Sequence, residues 1–130
     1  MSSWNWIETT AALAIHERQI SVHGGGTGIR DIGLLESAMA RPQTLAVYGE
    51  PDVFDLAACY GWGLARNHPF VDGNKRTAFV VCLLFLSLHG FRLTAPMPER
   101  LETFLNVASG TMTEQSLAAW LRSNSVRAIG

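Results

Sequence analysis

The most constraining segment of this chain is an unbroken apolar run, Ala78-Phe79-Val80-Val81-Cys82-Leu83-Leu84-Phe85-Leu86. At nine residues it is far short of the roughly 20 that a membrane span requires. Read as part of a helix over residues 74–89, it is apolar on every face after Thr77. Such a helix must be enclosed by other elements. The sequence therefore predicts an all-α bundle in which this fourth helix is the most buried, ended by Gly90 just past its last turn. The 130 residues, 48% hydrophobic and 16% charged, suffice for one domain over residues 1–130 with a sizeable core.

About six helices account for the rest. The first, near residues 9–22, puts Leu13, His16 and Ile20 on one stripe and stops at Gly24-Gly25-Gly26. A second opens at the N-cap Asp31, turns Leu34, Leu35 and Ala38 inward, and is expected to stop before Pro42, with residues 42–51 as a loop. The third, from Asp52 to Asn67, aligns Val53, Leu56, Tyr60 and Leu64. Gly61 and Gly63 within it each cost about 1 kcal/mol against alanine, which a close helix crossing would offset. A fifth starts at Pro98, with Leu101, Phe104, Leu105 and Ala108 inward. Thr111 and Glu114 are spaced as a capping box for a sixth, with Leu117, Ala118, Trp120 and Leu121 inward. Residues 91–94 and 4–7 alternate, which suggests one short two-stranded β pair.

Net charge is −1, which argues against a nucleic-acid binder using a broad basic face. The last two helices, joined by a short turn, have the outline of a helix-turn-helix, but the would-be recognition helix carries one arginine, Arg122. Cys59 and Cys82 fall among apolar neighbours and read as buried free thiols rather than zinc ligands. The N-terminus lacks a basic region followed by a signal-type apolar run, so a cytoplasmic protein with no membrane contact is expected.

The chemistry concentrates just before the apolar run, in His68-Pro69-Phe70-Val71-Asp72-Gly73-Asn74-Lys75-Arg76-Thr77. Lys75 is the only lysine. A polar loop feeding a helix N-terminus is an anion site, because the first N–H groups have no partner within the helix and its dipole favours negative charge. With Lys75, Arg76 and Asp72 beside it, the implied ligand is a nucleotide phosphate with a divalent metal. His68 is the general-base candidate. Asp72 suits Mg²⁺, which takes few protein carboxylates, and it could also cap the fourth helix. Gly73 would let backbone amides approach phosphate, and Asn74 would fix the loop or contact phosphate. Lys75 and Arg76 would clamp charge. Phe70 reads as an anchor for the loop, and Pro69 as its stiffener. His16 reads as a satisfied core or rim histidine. Gly24, Gly25, Gly26 and Gly28, followed by Arg30 and Asp31, are by themselves only a weak phosphate signal.

This stretch resembles the signature of the Fic/Doc family, His-x-Phe-x-(Asp/Glu)-(Gly/Ala)-Asn-(Lys/Gly)-Arg. The glycine cluster with Arg30-Asp31, the run Gly33-Leu34-Leu35-Glu36-Ser37 and the helix around Trp120 are similar to the Doc (death-on-curing) branch, so the resemblance covers nearly the whole chain. It implies the Fic/Doc helical fold, with His68 as catalytic base, Asp72 as metal ligand, and Gly73, Asn74, Lys75 and Arg76 as the phosphate cradle for ATP with Mg²⁺. It further implies a toxin, held in check by a Phd-like antitoxin, that phosphorylates a hydroxyl of an EF-Tu-like translation factor.

Fic-type AMP transfer is the alternative, and a catalytically silent antitoxin-binding module is a third. AMP-transferring members usually carry glycine at the position of Lys75 and a second arginine at the position of Phe79, so both departures are Doc-like. His68-Pro69-Phe70 and Asp72-Gly73 are spelled as in the AMP-transferring branch. Many of those relatives also carry an inhibitory Ser/Thr-x-x-x-Glu-Gly/Asn segment. No glutamate of this chain has that setting, so restraint is expected from another polypeptide.

Overall fold

The computed structural model describes residues 3–128. Six helices and one two-stranded sheet follow in the order α1 Thr9–His23, α2 Ile32–Tyr48, α3 Val53–Asn67, α4 Asn74–Leu88, β1 Phe91–Leu93, α5 Met97–Ser109, α6 Glu114–Ser123 and β2 Ser125–Arg127. The all-α bundle is as the sequence predicts.

The central helix is α3 rather than α4. Ten of its 15 residues are buried, against six of 15 in α4. α3 packs on α2, α4, α5 and α6, whereas α4 keeps a partly open flank at Phe79, Val80, Leu83 and Leu84. Small residues explain the exchange. Ala57, Ala58, Gly61, Gly63 and Ala65 let neighbouring helices approach α3 on several sides. A Cβ on Gly61 would lie 3.3 Å from Cys82 Cβ and 3.3 Å from Phe104 Cε1. A Cβ on Gly63 would lie 3.5 Å from Ala38 Cβ. These are the close crossings that the helix-interior glycines imply. α3 opens on a reciprocal capping box between Asp52 and Asp55.

α2 does not stop before Pro42. It continues to Tyr48, so most of the expected 42–51 loop is helix. Pro42 lacks the N–H that would bond the carbonyl of Ala38, a fault worth about 3 kcal/mol in a helix interior. Yet Leu35, Ala38, Met39 and Pro42 are all buried, at i, i+3, i+4 and i+7. The proline belongs to the stripe that docks α2, and that packing holds the helix through it.

Three further expectations are corrected. β1 pairs antiparallel with β2, Phe91 opposite Arg127 and Leu93 opposite Ser125, not with residues 4–7. The N-terminal segment is instead fixed by aromatic packing. Trp4 and Trp6 lie 6.2 and 6.1 Å from Phe85, and the Asn5 N–H donates to His89 Nε2 at 3.0 Å. The cap of α6 is Thr113, whose hydroxyl accepts from the Ser116 N–H. Glu114 is drawn away to Arg41, 2.6 Å distant, and Thr111 binds the Asn106 carbonyl. α5 starts at Met97 and buries Thr103, Phe104 and Val107, leaving Leu101 and Leu105 62% and 55% exposed.

Arg122 is spent on Asp52 and Asp55 at the start of α3, at 2.9 and 3.2 Å. Cys59 and Cys82 are buried and free. Burial, helped by the Glu114 carboxylate, pushes the Cys59 thiol up to about 12. Among the described residues no helix is long and apolar enough to cross a membrane.

Candidate active site

α3 and α4 deliver the two halves of the motif. α3 ends at Asn67, and His68 follows it in the left-handed conformation, φ 48° and ψ 55°. His68 is the only non-glycine residue with positive φ among those described. A left-handed residue bearing a Cβ costs about 1–2 kcal/mol, so the surroundings must hold it there. The chain then dives inward. Pro69 and Phe70 are buried, and Phe70 stacks flat on His16 with ring centroids 3.8 Å apart and planes at 4°. Phe70 is thus the anchor the sequence implies. The chain resurfaces at Val71 and Asp72 before α4 begins.

Asn74 locks this excursion. Its side-chain oxygen accepts from the Phe70 N–H at 2.9 Å and its amide donates to the Phe70 carbonyl at 3.0 Å. Of its two sequence roles, loop fixing is the one its side chain performs. Gly73 is the N-cap of α4 at φ 76°. A Cβ there would lie 3.1 Å from Ile20 Cδ1. Glycine at this position therefore serves the left-handed turn and close packing on α1.

Asp72 does not cap α4. Its Oδ1 accepts from the Gly73 N–H at 2.8 Å and its Oδ2 from the Gly26 N–H at 3.3 Å. The Gly73 amide first, then that of Gly26, hold its carboxyl below the usual carboxylate range, with smaller help from Arg76 and Lys75. The result is an exposed, fixed carboxylate. Lys75 and Arg76 are exposed on the first turn of α4. The first bond onto the cap, from the Thr77 N–H to the Gly73 carbonyl at 3.0 Å, leaves the amides ahead of it as donors at the positive end of the helix.

His68, Asp72, Gly73, Asn74, Lys75 and Arg76 all line one open cavity of about 630 Å³. All six sequence-designated site residues are therefore brought together. The opposite wall comes from α4 and α5, with Phe79, Phe104, Leu101 and Leu105 giving an apolar side and Arg100 and Glu102 polar rims. Leu101 and Leu105, expected in the core, are wall residues instead.

The 24–31 segment does more than its glycine-rich sequence signals. This segment buttresses the motif. Gly28 and Val71, and Ile29 and Phe70, are joined in an antiparallel bridge. The Pro69 carbonyl accepts from the N–H groups of Arg30 and Asp31 at 2.7 and 3.0 Å. A Cβ on Gly25 would stand 2.6 Å from Asp72 Oδ2. The available signal was the density of glycines, which marks a chain that must pass close to another backbone.

Comparison with known proteins gives the family of the chain. The family model described as Fic/DOC family matches residues 6–86, from ahead of α1 into α4. A protein named Toxin Doc from Mycolicibacterium smegmatis is 45% identical over 103 residues, 75% of this chain and 78% of that protein. Protein kinase doc of Escherichia phage P1 is 37% identical over 111 residues, 85% of this chain and 87% of the relative. The chain belongs to the Fic/DOC family.

Proposed function

We propose that this protein is the toxin of a toxin–antitoxin pair, a kinase that moves the γ-phosphoryl group of ATP to a hydroxyl of an EF-Tu-like translation factor and so arrests growth. The observation that carries the reading is the convergence of His68, Asp72, Lys75 and Arg76 on one cavity. The names of the two relatives, Toxin Doc and Protein kinase doc, support it. His68 takes the proton of the attacking hydroxyl, the hydroxyl oxygen bonds to the γ-phosphorus, and the bond to the ADP oxygen breaks. Lys75, Arg76 and the first amides of α4 hold the phosphates in line and neutralise their charge. One exposed carboxylate, held by two amides, suits Mg²⁺, which uses few protein carboxylates together with phosphate oxygens. Asp72 would be the residue that holds it, and the ion would supply further neutralisation of charge on the transferred group.

AMP transfer is the second reading, favoured by the spelling of His68-Pro69-Phe70 and Asp72-Gly73. Phe79 speaks against it. This residue sits in the cavity wall packed edge-on against Phe104 at 5.0 Å, and it cannot supply a second cation. ATP labelled separately at the α and γ phosphates, with candidate translation factors, separates the two. Label from the γ position, lost in His68→Ala, is expected. Label from the α position overturns the kinase reading. An encounter with a translation factor would take place in the cytoplasm.

Restraint by a Phd-like antitoxin belongs to the same proposal. An amphipathic segment, disordered when free, would fold as a helix into the apolar groove beside the motif. Expression of the chain alone should stop growth, and coexpression of the neighbouring small gene product should restore it. A lone chain that is harmless at high level while its ATP site is competent overturns the toxin assignment.

A further inference from the structure

The C-terminus of α3 is finished differently from the other helices. α1, α2, α4, α5 and α6 each have a cap N–H that bonds back to a carbonyl of the last turn. No such bond closes α3 among the described residues. A side chain from another element takes its place. Arg30 Nε donates to the His68 carbonyl at 2.7 Å and Arg30 Nη2 to the Asn67 carbonyl at 2.9 Å. One planar guanidinium thus spans the last helical carbonyl and the carbonyl of the candidate base. Its positive charge faces the negative end of the helix dipole.

The two residues flanking this contact are tied to the same segment. The Pro69 carbonyl accepts from Arg30 and Asp31 N–H, and the Asn67 side-chain amide donates to the Leu34 carbonyl at 3.0 Å. His68 is also the one described non-glycine residue in a left-handed conformation, and its imidazole projects from an exposed position on the cavity rim. A residue in a sparsely populated conformation persists only where its surroundings over-determine it. Arg30 does not line the cavity, so its route to the chemistry runs through the His68 backbone.

We propose that Arg30 is a positioning residue: its guanidinium forks across the carbonyls of Asn67 and His68, holds His68 in the left-handed conformation, and thereby aims the imidazole at the substrate hydroxyl. The inference rests on His68 being the base. Arg30 lies outside the cavity lining, so its loss should act on turnover and not on nucleotide affinity. Arg30→Lys keeps the charge but cannot reproduce the planar fork.

The test uses the full chain as wild type, Arg30→Met, Arg30→Lys, His68→Ala and the double variant Arg30→Met/His68→Ala. The readouts are kcat, the Kd for ATP, and amide hydrogen exchange at Asp31 and Val71. For Arg30→Met, kcat should fall by about 10- to 100-fold, the scale of a misplaced catalytic group. The Kd for ATP should stay near the wild-type value, and exchange at Asp31 and Val71 should quicken. In the His68→Ala background Arg30→Met should remove nothing further, because a residue acting only through another is not additive with it. If Arg30→Met fails to fold, Arg30→Lys carries the test, with reduced kcat and unchanged Kd expected. A variant at Arg30 with wild-type kcat beside an inactive His68→Ala overturns the positioning role and leaves the base assignment standing. A parallel loss of kcat and ATP affinity also overturns it, since that marks general disruption. A fully active His68→Ala overturns the base assignment and this inference with it.

Discussion

His16 Nε2 lies 2.9 Å from the main-chain oxygen of Asp72 while the face of its ring rests on Phe70. A carbonyl only accepts, so Nε2 carries the proton and donates. One side chain from α1 therefore fixes both the buried anchor of the motif and the backbone of the residue that carries its exposed carboxylate. His16 is 4% exposed. His16→Leu removes the donor and strands a carbonyl. The expected loss is about 1–3 kcal/mol of unfolding free energy, read from urea denaturation, together with a lower transfer rate. A variant as stable and as active as the wild type would show that the loop holds itself.

Gly25 tests the buttress from the other side. Its φ is 120°, and an added Cβ would stand 2.6 Å from Asp72 Oδ2. With Asp72 as the proposed Mg²⁺ ligand, Gly25→Ala should displace the carboxylate and weaken the apparent Mg²⁺ affinity in transfer by about 10-fold or more, as losses of supporting contacts around a metal ligand do. Gly24 is the control. Its φ is 80°, but an added Cβ would meet nothing within 4 Å, so Gly24→Ala should cost backbone strain and leave the Mg²⁺ requirement unchanged. Metal titration of the transfer rate for the two variants decides between them.

Local rules found most of this molecule. The apolar run, Asp31 and Asp52 as caps, and Gly90 past the end of α4 all follow from short-range chemistry. What the sequence hid depends on partners distant in the chain. Whether α3 or α4 is central turns on which helix lets others come close, so Gly61 and Ala57 outweigh Leu83 and Leu84. Pro42 stays helical because its ring fills the core. Leu101 and Leu105 have the spacing of a buried stripe, but their side of α5 faces the cavity. The six motif residues could be singled out because they fall within nine consecutive positions, 68–76. Arg30 was not, because its partners lie 37 and 38 positions away.

Asp72 should stay ionised to lower pH than an ordinary carboxylate. The Gly73 and Gly26 amides depress its folded value. The stabilisation that these bonds give the loop is then complete above the ordinary carboxylate value of about 3.9 and is lost as pH falls through the lower folded value. Carbon-13 NMR titration of the metal-free protein should place the Asp72 carboxyl midpoint below that ordinary value. The midpoint should move back up in Gly25→Ala, where the Gly26 bond is broken. A midpoint at or above the unfolded value in the wild type would show that the amides do not hold the carboxylate.

Gly61 sets the distance between the two helices that carry the site. α3 presents His68 at its end, α4 presents Lys75 and Arg76 at its start, and the helices touch where Gly61 meets Cys82. Gly61→Ala gains about 1 kcal/mol of helix propensity and spends it on the two 3.3 Å contacts with Cys82 and Phe104. Its stability should stay close to that of the wild type. Gly61→Val adds two methyl groups against fully packed neighbours, and overpacking of this kind costs about 1–3 kcal/mol. Relief can come only from α3 moving away from α4 or from Phe104 swinging toward the cavity, and either shift disturbs the site. Gly61→Val should therefore lose transfer activity beyond what its lowered stability explains, at a temperature where the variant is still fully folded. Activity that merely tracks the folded fraction would show that the crossing serves packing alone.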